Sequence, residues 1–99
     1  PFPDLILGDN DEKTADPLLI SNCWKILKNS PYNASHNAPF KGGYITRNYG
    51  NPTKGIHSLQ LEMSQRIYMD ETYVKWDHEK AGSVQALLRK MFQAIIEIL

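Results

Sequence analysis

Two polar residues of one predicted strand, Gln60 and Glu62, have the types and the spacing that could support acid–base chemistry. Residues two positions apart on a strand point to the same face of a sheet, so both side chains would reach into one space. A carboxylate held on a rigid strand is suited to removing a proton from water, a role that contributes about 10²- to 10⁴-fold in rate. The alternative is that both residues lie on the solvated face of a half-buried sheet.

A second group of chemically useful residues lies in segment 40–50, which holds three glycines, two tyrosines and two cations within eleven residues. Paired glycines such as Gly42 and Gly43 allow the backbone to approach a ligand closely or to adopt positive φ. Arg47 offers a planar guanidinium fork that matches a carboxylate. The alternative is an ordinary glycine turn that carries one surface arginine.

The three histidines, His36, His57 and His78, match no zinc-binding motif, since no HExxH, HxxH or HxxxH spacing occurs. His57 lies on the apolar side of its predicted strand, which favours a hydrogen-bonded histidine of the core. His78, near the start of the last predicted helix, is expected to be solvated. The sequence therefore predicts no metal site on this chain.

These residues must be positioned by an alternation of strands and helices. Residues 4–8 form a short apolar run ended by glycine, which favours a buried strand. Asp16 and Pro17 then supply an N-cap and a proline at the first helical position of an amphipathic helix that ends near residue 29.

The second half of the chain carries the strand of Glu62 and a long helix. Residues 56–64 alternate with period two, with apolar side chains on one face and polar ones on the other. A helix is predicted from about Asp77 to the end. Its apolar stripe contains Val84, Leu87, Leu88, Met91, Phe92, Ile95 and Ile96. Two shorter extended segments are predicted at residues 32–37 and 44–46, followed by a loop at residues 47–55.

The element order predicts an α/β fold, in which three strands form a small sheet with exposed edges. The 99 residues suffice for one small domain, and they also resemble one side of a larger three-layer domain. Residues 1–99 are therefore either a single domain or the C-terminal fragment of a larger one.

Composition excludes several classes of protein. Eleven basic and eleven acidic residues give a formal net charge of zero, so no long-range field attracts nucleic acid or an anionic membrane. No apolar run approaches the length that crosses a bilayer. Cys23, the one cysteine, cannot form an internal disulfide and is expected to be a buried free thiol. These features favour a cytoplasmic protein.

Three blocks of the sequence resemble the N-formylglutamate amidohydrolase (formylglutamate deformylase) family. They are Gly42-Gly43-Tyr44-Ile45-Thr46-Arg47-x-Tyr49-Gly50, Gly55-Ile56-His57-x-Leu59-Gln60-Leu61-Glu62 and Tyr68-Met69-Asp70-Glu71. They occur in the family in this order and at similar spacing, in the C-terminal part of considerably longer proteins. The resemblance implies a three-layer αβα domain of the zinc-carboxypeptidase (phosphorylase/hydrolase-like) type with a long C-terminal helix.

The resemblance also implies a function: metal-dependent hydrolysis of the amide bond of N-formylglutamate, as in histidine degradation, or of a similar N-acyl amino acid. It implies that Glu62 is the general base and acid, and that Arg47 pairs with a substrate carboxylate. Gly43, Tyr44 and Gln60 would line the pocket. Zinc is expected in the full-length protein, held by residues outside this chain, so the chain alone is expected to be inactive.

Two residues depart from the family pattern. Many members read R-H-Y-G where this chain has Asn48 after the arginine, and Asp9 replaces a usual threonine. Asn48 can donate a hydrogen bond to a substrate but cannot transfer protons near neutral pH. This leaves an alternative function, a non-catalytic relative that binds a carboxylate or a partner. A third possibility is a homo-oligomer formed through the C-terminal helix, whose apolar stripe would otherwise be exposed.

Overall fold

The computed structural model describes residues 2–99, and its centre is a three-stranded sheet. Strand β1 (Leu5–Gly8) lies between β2 (Ala34–His36) and β3 (Gln60–Met63). It pairs parallel with β2 and antiparallel with β3. All four residues of β1 are buried, as expected for the central strand that the apolar run predicts. The predicted strands at residues 4–8 and 32–37 are thus confirmed.

Two long helices pack on one face of this sheet. Helix α1 (Pro17–Lys28) begins as predicted, because the Asp16 side chain caps it by accepting a hydrogen bond from the backbone N–H of Leu18 at 2.8 Å. The C-terminal helix (His78–Ile98), the third in chain order, is capped in the same way by Asp77. Both helices contact each other and enclose the core with alternate residues of β1, Leu5 and Leu7.

The apolar stripe of the C-terminal helix is only partly covered. Val84 and Met91 are buried, and Leu87, Leu88 and Ile95 pack against the core. Phe92 and Ile96 remain exposed, at 53% and 74% of their surface. The oligomer that this stripe suggests stays a prediction.

The opposite face of the sheet carries no long helix within the described residues. The segment before Gly43 crosses it so closely that a Cβ on Gly8 would lie 2.8 Å from the backbone nitrogen of Gly42. The chain therefore forms a mixed α/β domain that supplies two layers, a sheet and one helical layer. The third layer of the predicted αβα arrangement is not found in residues 2–99.

Two predicted segments differ from the structure. Residues 44–46 are not extended but begin helix α2 (Tyr44–Tyr49), so the predicted loop at residues 47–55 starts inside a helix and continues with a 3₁₀ turn at Pro52–Lys54. Strand β3 covers only the second half of the predicted strand at 56–64, because β1 offers four residues to pair with it. The long C-terminal helix, the third in the chain, is therefore labelled α3.

Two small features complete the chain. A 3₁₀ turn at Gln65–Ile67 buries Ile67 against the core, and a short hairpin of β4 (Met69–Asp70) and β5 (Lys75–Trp76) leads into α3. This hairpin was not among the elements predicted from the sequence. No helix within residues 2–99 is long and apolar enough to cross a membrane.

Candidate functional site

Strand β3 places Gln60 and Glu62 on the sheet face opposite the two long helices. The register pairs Gln60 with Gly8 and Glu62 with Ile6, whereas Leu61 pairs with Leu7 and packs towards the core. Gln60 Nε2 donates a hydrogen bond of 2.8 Å to Glu62 Oε1. Both side chains are half-buried. The prediction that Gln60 and Glu62 share one space is therefore confirmed, whereas their chemical role stays a prediction.

The other end of the Gln60 side chain reaches the start of α2. Its Oε1 accepts a hydrogen bond of 2.6 Å from the backbone N–H of Gly43, the residue that precedes the helix. The carbonyl oxygen of Gly43 in turn accepts bonds from the backbone N–H of Arg47 at 3.1 Å and from its side-chain Nε at 3.4 Å. The structure thus joins three of the predicted site residues, Gln60, Gly43 and Arg47, to Glu62.

One surface of α2 carries the remaining predicted site residues. Tyr44, Arg47 and Asn48 line a shallow, open depression of about 220 Å³. All three side chains are exposed. Within residues 2–99, the Nη groups of Arg47 donate to no other side chain or carbonyl, so its guanidinium fork is open to a ligand. This geometry suits recognition of a carboxylate, because the fork can donate two parallel hydrogen bonds.

Glycines hold α2 against the rest of the domain. Gly42 adopts φ of 110°, and a Cβ there would lie 2.9 Å from the Thr46 side chain, which is itself buried. A Cβ on Gly50 would lie 2.4 Å from Cβ of Thr14. A larger residue at position 42 would clash with α2 itself, and one at position 50 would push the end of α2 away from Thr14, so these two glycines serve close approach.

The structure agrees with the prediction for His78 and with part of the prediction for His57. His57 Nδ1 accepts a hydrogen bond of 3.0 Å from the backbone N–H of Asp16 at the start of α1, but the side chain is only half-buried and does not belong to the core. His78 is exposed at the beginning of α3. His36 stacks on Trp24 of α1 and belongs to a buried polar cluster that the sequence analysis missed.

This cluster is built around Asp9, which follows β1 and is 0% exposed. Asp9 Oδ1 accepts hydrogen bonds of 2.7 Å from Asn37 Nδ2 and from the backbone N–H of Glu12. Its Oδ2 lies 2.5 Å from His36 Nε2. The sequence showed only a polar residue at the start of a loop. One signal in the sequence could have revealed the cluster. If β1 and β2 pair in parallel, they end at the same edge of the sheet, where Asp9 and His36 would then lie close together.

The residues of this chain do not fit a zinc site. Within residues 2–99, no group of three histidine, cysteine, aspartate or glutamate side chains is close enough to hold a metal ion. Asp9 and His36 lie side by side, but they are only two residues, and Asp9 Oδ2 and His36 Nε2 are hydrogen-bonded to each other. No step of a reaction can therefore be derived through a metal held by these residues.

Cys23 is a free thiol that is completely buried between α1 and the sheet. Burial raises the pKa of this thiol, because desolvation disfavours the thiolate. Burial and, to a smaller degree, the charge of Asp4 also raise the pKa of Tyr32. A thiol with a raised pKa is a poor nucleophile, so Cys23 belongs to the core, as predicted.

Comparison with known proteins gives one consistent result. The model of the N-formylglutamate amidohydrolase family matches residues 1–69. The chain is 36% identical over 97 residues to the N-formylglutamate deformylase of Pseudomonas putida, and 33% identical to that of Pseudomonas aeruginosa. Each alignment covers 96% of this chain but only 36% of the relative.

The fold is also similar to a solved structure. The crystal structure of N-formylglutamate amidohydrolase from Ralstonia eutropha JMP134 superimposes with a TM-score of 0.81 at 28% identity. The superposition covers 95% of this chain and 34% of that chain. The chain thus spans about a third of the length of the proteins that it matches.

Proposed function

Because this chain belongs to the N-formylglutamate amidohydrolase family, we propose that the protein containing it hydrolyses the amide bond of N-formylglutamate or of a similar N-acyl amino acid. The observation that carries the proposal is the position of Glu62: the residue lies on a strand, and its carboxylate accepts a hydrogen bond from Gln60. The activity is assigned to the whole protein, since the chain spans 36% of the curated relatives.

Each polar residue of the site has a role in this reaction. Glu62 removes a proton from the attacking water and passes it to the leaving amine. Arg47 pairs with a carboxylate of the substrate and so holds the amide near Glu62. Tyr44 and Asn48 line the same depression on α2, where they contact the bound substrate.

Three further features are part of the proposal. Zinc is bound by residues outside this chain, where it would act as a Lewis acid towards the acyl carbonyl. The missing sheet strands and the third layer of an αβα domain also come from outside residues 2–99. Residues 1–99 alone are therefore inactive. The buried, unpaired thiol of Cys23 agrees with a cytoplasmic location.

The test is Glu62→Gln in the full-length protein, assayed by release of glutamate from N-formylglutamate. We expect kcat to fall by about 10² to 10⁴ while KM changes little, because the carboxylate acts in the transition state. The matched control is Glu71→Gln, which removes an exposed carboxylate from the turn between β4 and β5 and should leave both constants unchanged.

Two outcomes would contradict the proposal. If Glu62→Gln retains the wild-type kcat, Glu62 is not the general base. If the wild-type protein binds N-formylglutamate or its product but cleaves no N-acyl amino acid, the site is a carboxylate-binding module, the alternative that Asn48 suggests.

A further inference from the structure

Both polar atoms of the Gln60 side-chain amide form hydrogen bonds inside the protein. Its Nε2 donates to Glu62 Oε1 at 2.8 Å, and its Oε1 accepts from the backbone N–H of Gly43 at 2.6 Å. The side chain is thus a bridge between a strand and the start of a helix. With both polar atoms of the amide engaged within the protein, only the second N–H of Nε2 is left to contact a substrate.

We propose that Gln60 is a positioning residue that orients the Glu62 carboxylate and couples it to α2. This inference rests on the proposed function, because it gives Gln60 its role through the general base. One carboxylate oxygen of Glu62 is bonded to Gln60, so the other oxygen is directed away from that contact and is available to a water molecule. A carboxylate that turned freely would spend less time in the reactive geometry.

The chemistry of an amide matches both partners. The Gly43 N–H needs an acceptor and the Glu62 carboxylate needs a donor, and glutamine presents one of each. Glutamate at position 60 would keep the acceptor but would place a second negative charge against Glu62. Methionine has a similar length and offers neither strong hydrogen bond.

The glycine at position 43 is part of the same arrangement. A Cβ there would lie 3.2 Å from Gln60 Oε1, a contact closer than side chains usually make. The backbone of Gly43 has φ of −86°, which any residue can adopt. Glycine at this position therefore leaves space for the Gln60 amide, which a larger residue would displace by a few tenths of an ångström.

The bridge continues from Gly43 to the proposed substrate clamp. The Gly43 carbonyl accepts from the backbone N–H and from Nε of Arg47 at 3.1 and 3.4 Å. Hydrogen bonds thus connect four residues one after another: Glu62, Gln60, Gly43 and Arg47. These bonds connect the base on β3 to the helix that carries the clamp, although the two lie on different elements.

The experiment is a double-mutant cycle in the full-length protein, with Gln60→Met, Glu62→Gln and the combined variant. We expect Gln60→Met to lower kcat about 10- to 100-fold, the fold-change that corresponds to losing a hydrogen bond to a charged group. KM should change less than about 3-fold. In the Glu62→Gln background, Gln60→Met should cause no further loss of kcat, because the residue acts through Glu62. Gln93→Met, an exposed change on α3, is the control.

A second measurement does not depend on activity. In the NMR spectrum of the full-length protein, Gln60→Met should shift the amide proton of Gly43, whereas Gln93→Met should not. Additive losses of kcat in the cycle, or a raised KM with wild-type kcat, would overturn the proposal. So would an unchanged Gly43 amide, because the bridge would then be absent. A wild-type protein without amidohydrolase activity would defeat the proposed function, and the Gly43 signal would still decide whether the bridge exists.

Discussion

Asp9→Ala should destabilise the protein strongly, although Asp9 lies in a loop and outside the proposed site. Its carboxylate is completely buried and satisfies three donors: Asn37 Nδ2, the Glu12 backbone N–H and His36 Nε2. Alanine would leave all three without this partner. A buried donor that loses its partner costs about 1–3 kcal/mol. Water can reach part of the site, since the His36 side chain is 21% exposed.

We therefore expect a loss of about 3–5 kcal/mol in the free energy of unfolding, less than the full sum for three buried donors because water can replace part of the lost contacts. The matched control is Asp11→Ala in the same loop. Asp11 forms an ion pair with Lys41 Nζ at 2.7 Å, but the two side chains are 48% and 55% exposed. Exposed pairs contribute about 0–1 kcal/mol, and alanine at the φ of 56° that Asp11 adopts costs about 1 kcal/mol more, so this variant should lose at most about 2 kcal/mol. Asp9→Asn should lie between them, because its amide oxygen can still accept.

Urea denaturation followed by tryptophan fluorescence measures the difference. Trp24 stacks on His36 at a centroid distance of 5.3 Å, so its emission reports on this cluster directly. The midpoints of the two alanine variants should be compared at a common slope. An Asp9→Ala protein within about 1 kcal/mol of Asp11→Ala would refute the reasoning, since the carboxylate would then contribute no more than a surface charge.

Two further predictions concern the clamp and the core. Arg47→Ala should raise KM for N-formylglutamate at least about 10-fold with little change in kcat, and Arg47→Lys should recover only part of the binding, because it keeps the charge and loses the planar fork. An unchanged KM would count against the clamp. The pKa of Cys23 is raised in the folded protein, so the unfolded chain loses the thiol proton first as pH rises past the ordinary value of 9.0. The contribution of Cys23 to the free energy of unfolding should therefore be constant below that pH and decrease above it. Denaturation curves of Cys23→Ala between pH 8 and 11 should show a weaker decrease, with the part due to Tyr32 remaining.

The sequence predicted those parts of the fold that depend on local signals. Asp16 and Asp77 cap their helices through their own side chains, within three residues along the chain. The apolar run of β1 and the alternation around Glu62 likewise carry their information in neighbouring residues. For the same reason, the shared face of Gln60 and Glu62 could be predicted before their hydrogen bond was seen.

The parts that could not be predicted depend on distant partners. Residues 44–46 have the aromatic and β-branched composition of a strand, but α2 forms because Thr46 is buried and glycines at both ends allow close packing. The length of β3 is set by its partner β1. Asp9 looked like an ordinary loop residue, because His36, which lies 27 positions away, gives it its role.

Segment 37–43 links the Asp9 cluster to the proposed site. At the first residue of the segment, Asn37 Nδ2 donates to Asp9 Oδ1 at 2.7 Å, and Asn37 Oδ1 accepts from the Asp9 backbone N–H at 2.9 Å. In the middle, the Lys41 carbonyl accepts from the backbone N–H of Asn10 at 2.8 Å, and at the end the Gly43 N–H donates to Gln60. Hydrogen bonds to the loop after β1 and to β3 thus hold the segment at three points, so the position of α2 is not set by a free loop. Of these contacts, Asp9→Ala removes only the bond from Asn37 Nδ2, because the Asp9 backbone N–H still donates to Asn37 Oδ1 and the Asn37 backbone N–H still donates to the Leu7 carbonyl. We therefore expect Asp9→Ala to cost stability while the Gln60 bridge still connects the base to α2.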